Sequence, residues 1–261
     1  VYGLNQAAHD GLLLVPDQGS HNEMLFPADR FCGGPFAEVE FFRVQADHRT
    51  SMEQSAKQAW IFTGMALLGV VIFGYATGVL MGPYVPVIGE RLPELTCLQL
   101  AFTGARAAEV LGSFSPEQRT AIAGLLIPGD VVFAWGYGFL LTGLLGLLTL
   151  RLPATWQRPG KVLMWTPLLA STFDCLEDLA LYQLAVAPAG SDLGLVPLLA
   201  GIAATLKYLN LSLLAPAYGI AGSIRGLAHD RRVGALLIYV LVVVNALAFF
   251  AKPATEIPAC F

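Results

Sequence analysis

The sequence predicts an all-α, polytopic transmembrane helical bundle of about five spans, preceded by an irregular N-terminal extramembrane arm. Three observations carry that expectation. Of 261 residues, 56% are hydrophobic and only 13% charged; five apolar stretches reach bilayer length; and none of them alternates with period two. Soluble domains carry about 25% charge. A chain this short with a mean hydropathy of +0.63 cannot hide its apolar surface in a single core, so lipid is expected to cover part of it.

Residues 1–57 form the expected arm, rich in Gly, Pro, Asp and His, with apolar bursts too short to build a core. Such a segment buries too little to offset roughly 1–2 kcal/mol of backbone entropy per residue. Order there is expected only against a neighbouring protein, so the arm is read as clasping another membrane subunit. The sequence opens on Val1 rather than a methionine, which fits either a removed leader or a start left out, and no signal-peptide pattern is present.

Residues 58–251 form the expected transmembrane domain. Thr50 and Glu53 have capping-box spacing and predict a helix feeding a first span at 59–82. Residues 94–113 place Leu95, Leu98, Phe102 and Ala105 on one face, the pattern of an interfacial amphipathic helix or of one packed on the spans. Ser115 to Gln118 repeat the capping logic before a second span at 127–150, and three more follow at 163–187, 195–218 and 233–251, with a tail at 252–261. Backbone polar groups in hydrocarbon must be satisfied within the segment, and these runs exclude a β-barrel.

Orientation follows from the basic residues at the span ends. Arg43, Arg49, Lys57, Arg151, Arg158, Lys161, Arg225, Arg231 and Arg232 fall on one side, against Arg91, Arg106, Arg119 and Lys252 on the other. The rule that basic loops stay inside predicts N-terminus in and C-terminus out, in a bacterial inner membrane or an organellar energy-transducing membrane.

Charge also enters the expected hydrocarbon. Asp174, Glu177 and Asp178 lie at i, i+3 and i+4 of the third span, hence on one face. Lys207 lies in the fourth. Asp174 stands nearly as far before position 187 as Lys207 stands after position 195, and with a constant helical rise per residue the two sit at one depth. An Asp174–Lys207 pair is expected, because each unpaired charge at the bilayer centre costs about 2.5–3.5 kcal/mol. The surplus at Glu177 and Asp178 calls for a proton, water, a cation, or hydrogen bonds from Tyr137 and Asn210, with Asp130 joining from the second span. The cluster reads either as a polar lock fixing helix register or as a proton or cation site.

Other chemistry is excluded or lacks its parts. A net charge of −4 gives no field for a phosphate backbone, so nucleic acid is not an expected partner. The histidines, His9, His21, His48 and His229, lie outside the spans, so no His-ligated cofactor is expected there, whereas bound lipid or pigment stays open. Cys32, Cys97, Cys175 and Cys260 show no paired spacing and are not expected to form a disulfide framework. No nucleophile motif, phosphate loop or metal set is present, and no catalytic or metal residue is assigned.

L-Q-L-A-F-T-G-A-R-A-A-E-V-L at 98–111, Asp130 followed by Tyr137, D-C-L-E-D at 174–178 and L-K-Y-L at 206–209 resemble a group of small bacterial integral membrane proteins with a D-x-x-E-N motif and no established activity. Asp178 stands where that group has asparagine. The resemblance implies a membrane location and no reaction. The leading expectation is a non-catalytic accessory subunit of a larger membrane complex, photosynthetic or respiratory, held through residues 1–57, its lipid-facing spans and membrane lipids. The alternatives are a small proton- or cation-coupled transporter, and an intramembrane enzyme whose carboxylates hold Mg²⁺.

Overall fold

The computed structural model describes residues 13–14, 25–26, 35–188, 190–230, 232–256 and 260. The partner contact expected of the arm before Pro35 falls almost wholly outside them. Two units are distinguished, Val1–Ala56 and Lys57–Phe261. In the first, two two-residue strands, β1 (Leu13–Leu14) and β2 (Leu25–Phe26), pair antiparallel with Leu13 opposite Phe26. The arm is not irregular to its end, because helix α1 runs Pro35–Tyr75. Its first residue is a proline, which suits the first helical position, and no glycine or second proline interrupts the chain before the apolar run. The helix therefore starts at Pro35, well before the Thr50 capping box.

Among the described residues three helical rods are long and apolar enough to cross a membrane: Glu53–Met81, Pro116–Arg151 and Val196–His229. Each contains a π-helical turn, at Ala76–Met81, Leu125–Asp130 and Leu209–Leu214. After the first rod come α2 (Val85–Ile88) and a 3₁₀ turn at Gly89–Arg91. The expected interfacial helix at 94–113 is two helices, α3 (Leu92–Gln99) and α4 (Gly104–Gly112). The break has a local cause: Thr103 caps α4 by accepting from Arg106 N, and Phe102 takes φ 51°. Glycine at position 201 leaves room for the Phe102 ring, since a Cβ there would fall 2.7 Å from Phe102 Cε1.

The second rod begins at Pro116, ahead of the expected start at 127, with α5 (Pro116–Gly124) initiated by a complete Ser115–Gln118 capping box. It passes through the π turn, where Ile127 leaves helical geometry and the Ile127–Pro128 peptide is cis, into α6 (Val131–Arg151). Then follow α7 (Ala154–Leu163), α8 (Thr166–Val186), α9 (Val196–Tyr208), α10 (Ala215–His229) and α11 (Val233–Glu256). At 21 residues α8 spans about 31 Å, but its three acids keep it from being apolar enough by composition. The apolar part of α11 is Ala235–Phe249.

Three apolar clusters hold this unit together. One, with Ile88, Leu98, Ile122, Leu181 and Leu184, joins α2–α5 to the C-terminal half of α8. A second, with Leu144, Leu148, Tyr218 and Tyr239, joins α6, α10 and α11. The third, with Ala134, Tyr137, Leu141, Ala170 and Leu211, lies beside the acids. Close approach of α1 to α6 depends on glycine: a Cβ on Gly143 would fall 2.6 Å from Ala66 N and Phe62 O, and one on Gly136 would fall 2.7 Å from Phe73 N. Small residues let backbones meet where lipid offers no hydrophobic drive.

The cysteines correct the sequence expectation, because Cys97 of α3 and Cys260 form a disulfide with Cα atoms 5.0 Å apart. Their 163-residue separation hides the pairing in the sequence. Cys175 is free.

Candidate functional site

The acidic face of α8 points into the protein, and Asp174, Glu177 and Asp178 are all buried. The i, i+3, i+4 spacing stacks them on one stripe, which α6 and α9 flank. From α6, Tyr137 Oη donates to Asp174 Oδ2 at 2.7 Å. From α9, Lys207 Nζ donates to Asp174 Oδ1 at 2.8 Å and lies 2.6 Å from Glu177 Oε2. The contact with Glu177 is an ion pair off hydrogen-bond alignment, so neither Glu177 oxygen has a directed donor among the described residues. The register of α8 on α6 is set one turn earlier by Ser171, whose hydroxyl lies 2.7 Å from Ala134 O and 3.0 Å from Pro167 O, donating to one of them.

Asp178 differs from its neighbours. It is fully buried, and neither carboxylate oxygen has a hydrogen-bond partner among the described residues. Asp130 and Asp174 each place an oxygen within 4.8 Å of one on Asp178 and of each other. Asp130 reaches this depth because the rod that carries it begins at Pro116 and puts it mid-rod, at the α6 terminus of the π turn, whereas a span starting at 127 would leave it near an outer end. Two unit charges within 4.8 Å of one another repel by at least about 3.5 kcal/mol at an effective dielectric near 20. Four carboxylates facing one ammonium therefore need a proton or a cation to balance them.

Asn210 is buried on the same rod as Lys207, but its amide nitrogen donates to Leu206 O of its own helix at 2.8 Å rather than to the acids. Three polar contacts have no counterpart in the sequence reading. Ser171 is one. The second is Tyr208 Oη to Gln99 Oε1 at 3.1 Å, which ties α9 to α3. In the third, the Arg119 guanidinium donates to the carbonyls of Leu184, Ala185 and Ala187 at 3.3, 3.1 and 2.5 Å and closes the C-terminal end of α8. The last turn of a helix leaves such carbonyls without partners. Nothing in the local sequence marks a residue that acts 65 positions away.

The chain matches no protein-family model, no curated protein and no solved structure. Fold and site define an all-helical protein with spans fit for a membrane and a buried acidic cluster; the functional reading rests on that geometry.

Proposed function

We propose that the protein crosses the membrane five times, with the N-terminus inside, and that it is a small proton- or cation-coupled transporter centred on Asp174, Glu177, Asp178 and Lys207. The observation that carries the function is Asp178: a fully buried carboxylate with neither oxygen partnered among the described residues, beside Asp130 at the point where a span departs from α-helical geometry. π turns are frequent at functional sites, and interrupted spans hold the ions in many transporters. A register lock needs only the Tyr137–Asp174–Lys207–Glu177 contacts and leaves Asp178 without a purpose.

Five spans are supported by the ties at the helix ends. The start of α11 follows the Arg151–Asp230 ion pair, and its far end precedes Cys260, which is bonded to α3. Both ends of α8 are likewise tied, by the Thr166 hydroxyl donating to Leu163 O of α7 and by Arg119. A disulfide persists in an oxidising compartment, which supports an outer face at Cys97 and Cys260 and agrees with the excess of basic residues opposite. In proteoliposomes carrying a pH-sensitive dye or an ion-selective dye, the wild type is expected to dissipate an imposed gradient and the Glu177→Gln, Asp178→Asn double variant to abolish that flux. Wild-type flux in the double variant removes the reading.

A second reading, a non-catalytic accessory subunit of an energy-transducing complex, is favoured by α1. Only 11% of its most apolar window is buried within the chain, against 61% and 50% for the other two rods, and Trp60, Leu67 and Val71 are exposed. Lipid or a neighbouring subunit covers such a face. Removal of residues 1–50 is expected to release an accessory subunit from its complex on a native gel, and unchanged migration counts against it.

A further inference from the structure

We propose that Asp130, Asp174 and Asp178 form a binding site for a hard divalent cation inside the helix bundle. This rests on the ion-binding reading above and names the class of ion. The three carboxylates come from two elements, the interrupted second rod and α8, and their oxygens lie within 4.8 Å of one another. Hard cations take carboxylate oxygen; Ca²⁺ does so at about 2.3–2.6 Å and Mg²⁺ at about 2.0–2.1 Å. Opposed ligands of a Ca²⁺-sized ion are thus about 5 Å apart and those of Mg²⁺ about 4 Å apart. Oxygens within 4.8 Å of one another can reach a common ion of either size, and a set made of protein carboxylates suits Ca²⁺ better, since Mg²⁺ dehydrates reluctantly and keeps several waters.

Asp178 supplies the independent pointer to a ligand. It is fully buried, and neither of its oxygens has a hydrogen-bond partner among the described residues. A proton alone leaves this group half-satisfied, because the hydroxyl can turn to a neighbouring carboxylate but the second oxygen still lacks a donor among those residues. A cation held between Asp178, Asp174 and Asp130 satisfies Asp178 and offsets the mutual repulsion of the three. Lys207 does not compete for the position. Its ammonium lies between Asp174 Oδ1 and Glu177 Oε2, so Lys207 is shared by those two, and Asp174, which also accepts from Tyr137, bridges the lysine and the ion while Asp130 and Asp178 face the ion alone. Asp130 is half-buried and forms the rim of the site, and Asp178 forms its floor.

The test is Mn²⁺ binding to the full chain in detergent micelles after chelation, read by loss of the free-ion electron paramagnetic resonance signal, with Ca²⁺ and Mg²⁺ as competitors. The expected result is saturable binding at a single site per chain, displaced more readily by Ca²⁺ than by Mg²⁺. Asp178→Asn and Asp130→Asn are each expected to weaken it by about tenfold or more, while Glu117→Gln, at an exposed acid far from the cluster, leaves it unchanged. Absence of saturable binding, or binding that survives both aspartate variants, overturns the proposal. Should Asp178→Asn fail to fold, Asp130→Asn decides, since that side chain sits at the rim. Proton flux that depends on Asp178 without any Mn²⁺ binding overturns the divalent site and leaves the proton form of the function standing. Mn²⁺ binding without flux upholds the site and overturns transport.

Discussion

Replacing Lys207 by methionine keeps most of the length of the side chain and removes the only ammonium paired with the cluster's carboxylates among the described residues. Its side chain is 9% exposed, with Asp174 Oδ1 at 2.8 Å and Glu177 Oε2 at 2.6 Å. Removing one partner of a buried pair costs about 3–5 kcal/mol, because the other charge stays buried without compensation. Two carboxylates lose their counter-ion here, and at about 2.5–3.5 kcal/mol each on insertion scales the ceiling is about 5–7 kcal/mol. The Tyr137 hydrogen bond remains on Asp174 and proton uptake relieves part of the rest. Lys207→Met is therefore expected to lose about 3–5 kcal/mol. The assay is reversible unfolding in mixed micelles of rising SDS fraction, followed by circular dichroism. Adding Glu177→Gln to Lys207→Met should recover part of the loss, with a coupling energy of about 1–3 kcal/mol in the double-mutant cycle. A single variant within about 1 kcal/mol of wild type, or a coupling under about 0.5 kcal/mol, would refute the assignment of Lys207 as the counter-ion.

The remaining predictions concern contacts outside the cluster. Gly143→Val forces a Cβ against the backbone of Phe62 and Ala66 and is expected to destabilise by about 1–3 kcal/mol. Gly64→Val, where nothing lies within 4 Å, is the control, and equal thermal shifts for the two would reject the close approach of α1 to α6. Arg119→Ala removes the guanidinium from the Leu184, Ala185 and Ala187 carbonyls at the end of α8 and is expected to speed amide hydrogen exchange around residues 184–187 by about tenfold, measured by mass spectrometry. Cys97→Ser is expected to make Cys260 reactive to maleimide without reductant, read as a mass shift; labelling of Cys260 in the wild type would contradict the disulfide.

Much of this architecture is legible because hydrocarbon restricts the chain so strongly. Long apolar runs in 116–151 and 196–229 must be helical wherever they sit in a membrane, and a 3.6-residue helical period puts Asp174, Glu177 and Asp178 on one stripe without any structure. Matching depth for Asp174 and Lys207 follows from counting along the chain across a short connection. Helix limits are harder to read. The 94–113 stretch hides a break: the Thr103 cap is local, but room for the Phe102 ring at its positive φ comes from a glycine at position 201, far along the chain. Pro128 and Gly129 resemble the beginning of a span, whereas a π turn carries the second rod through them.

The sequence by itself determined that the chain is helical, has segments fit for a bilayer and carries a stripe of acids facing a lysine, since these depend on periodicity and hydropathy along one segment at a time. Only the tertiary structure decided which groups satisfy one another: Asp130 joining Asp174 and Asp178, Asn210 turning to its own backbone, Arg119 closing α8, and Cys97 meeting Cys260. Those outcomes depend on how separate helices slide and rotate against each other. Helix period and hydropathy fix which face a side chain presents, but distances of a few ångströms between elements are set by packing at glycine and serine contacts far from the groups they align.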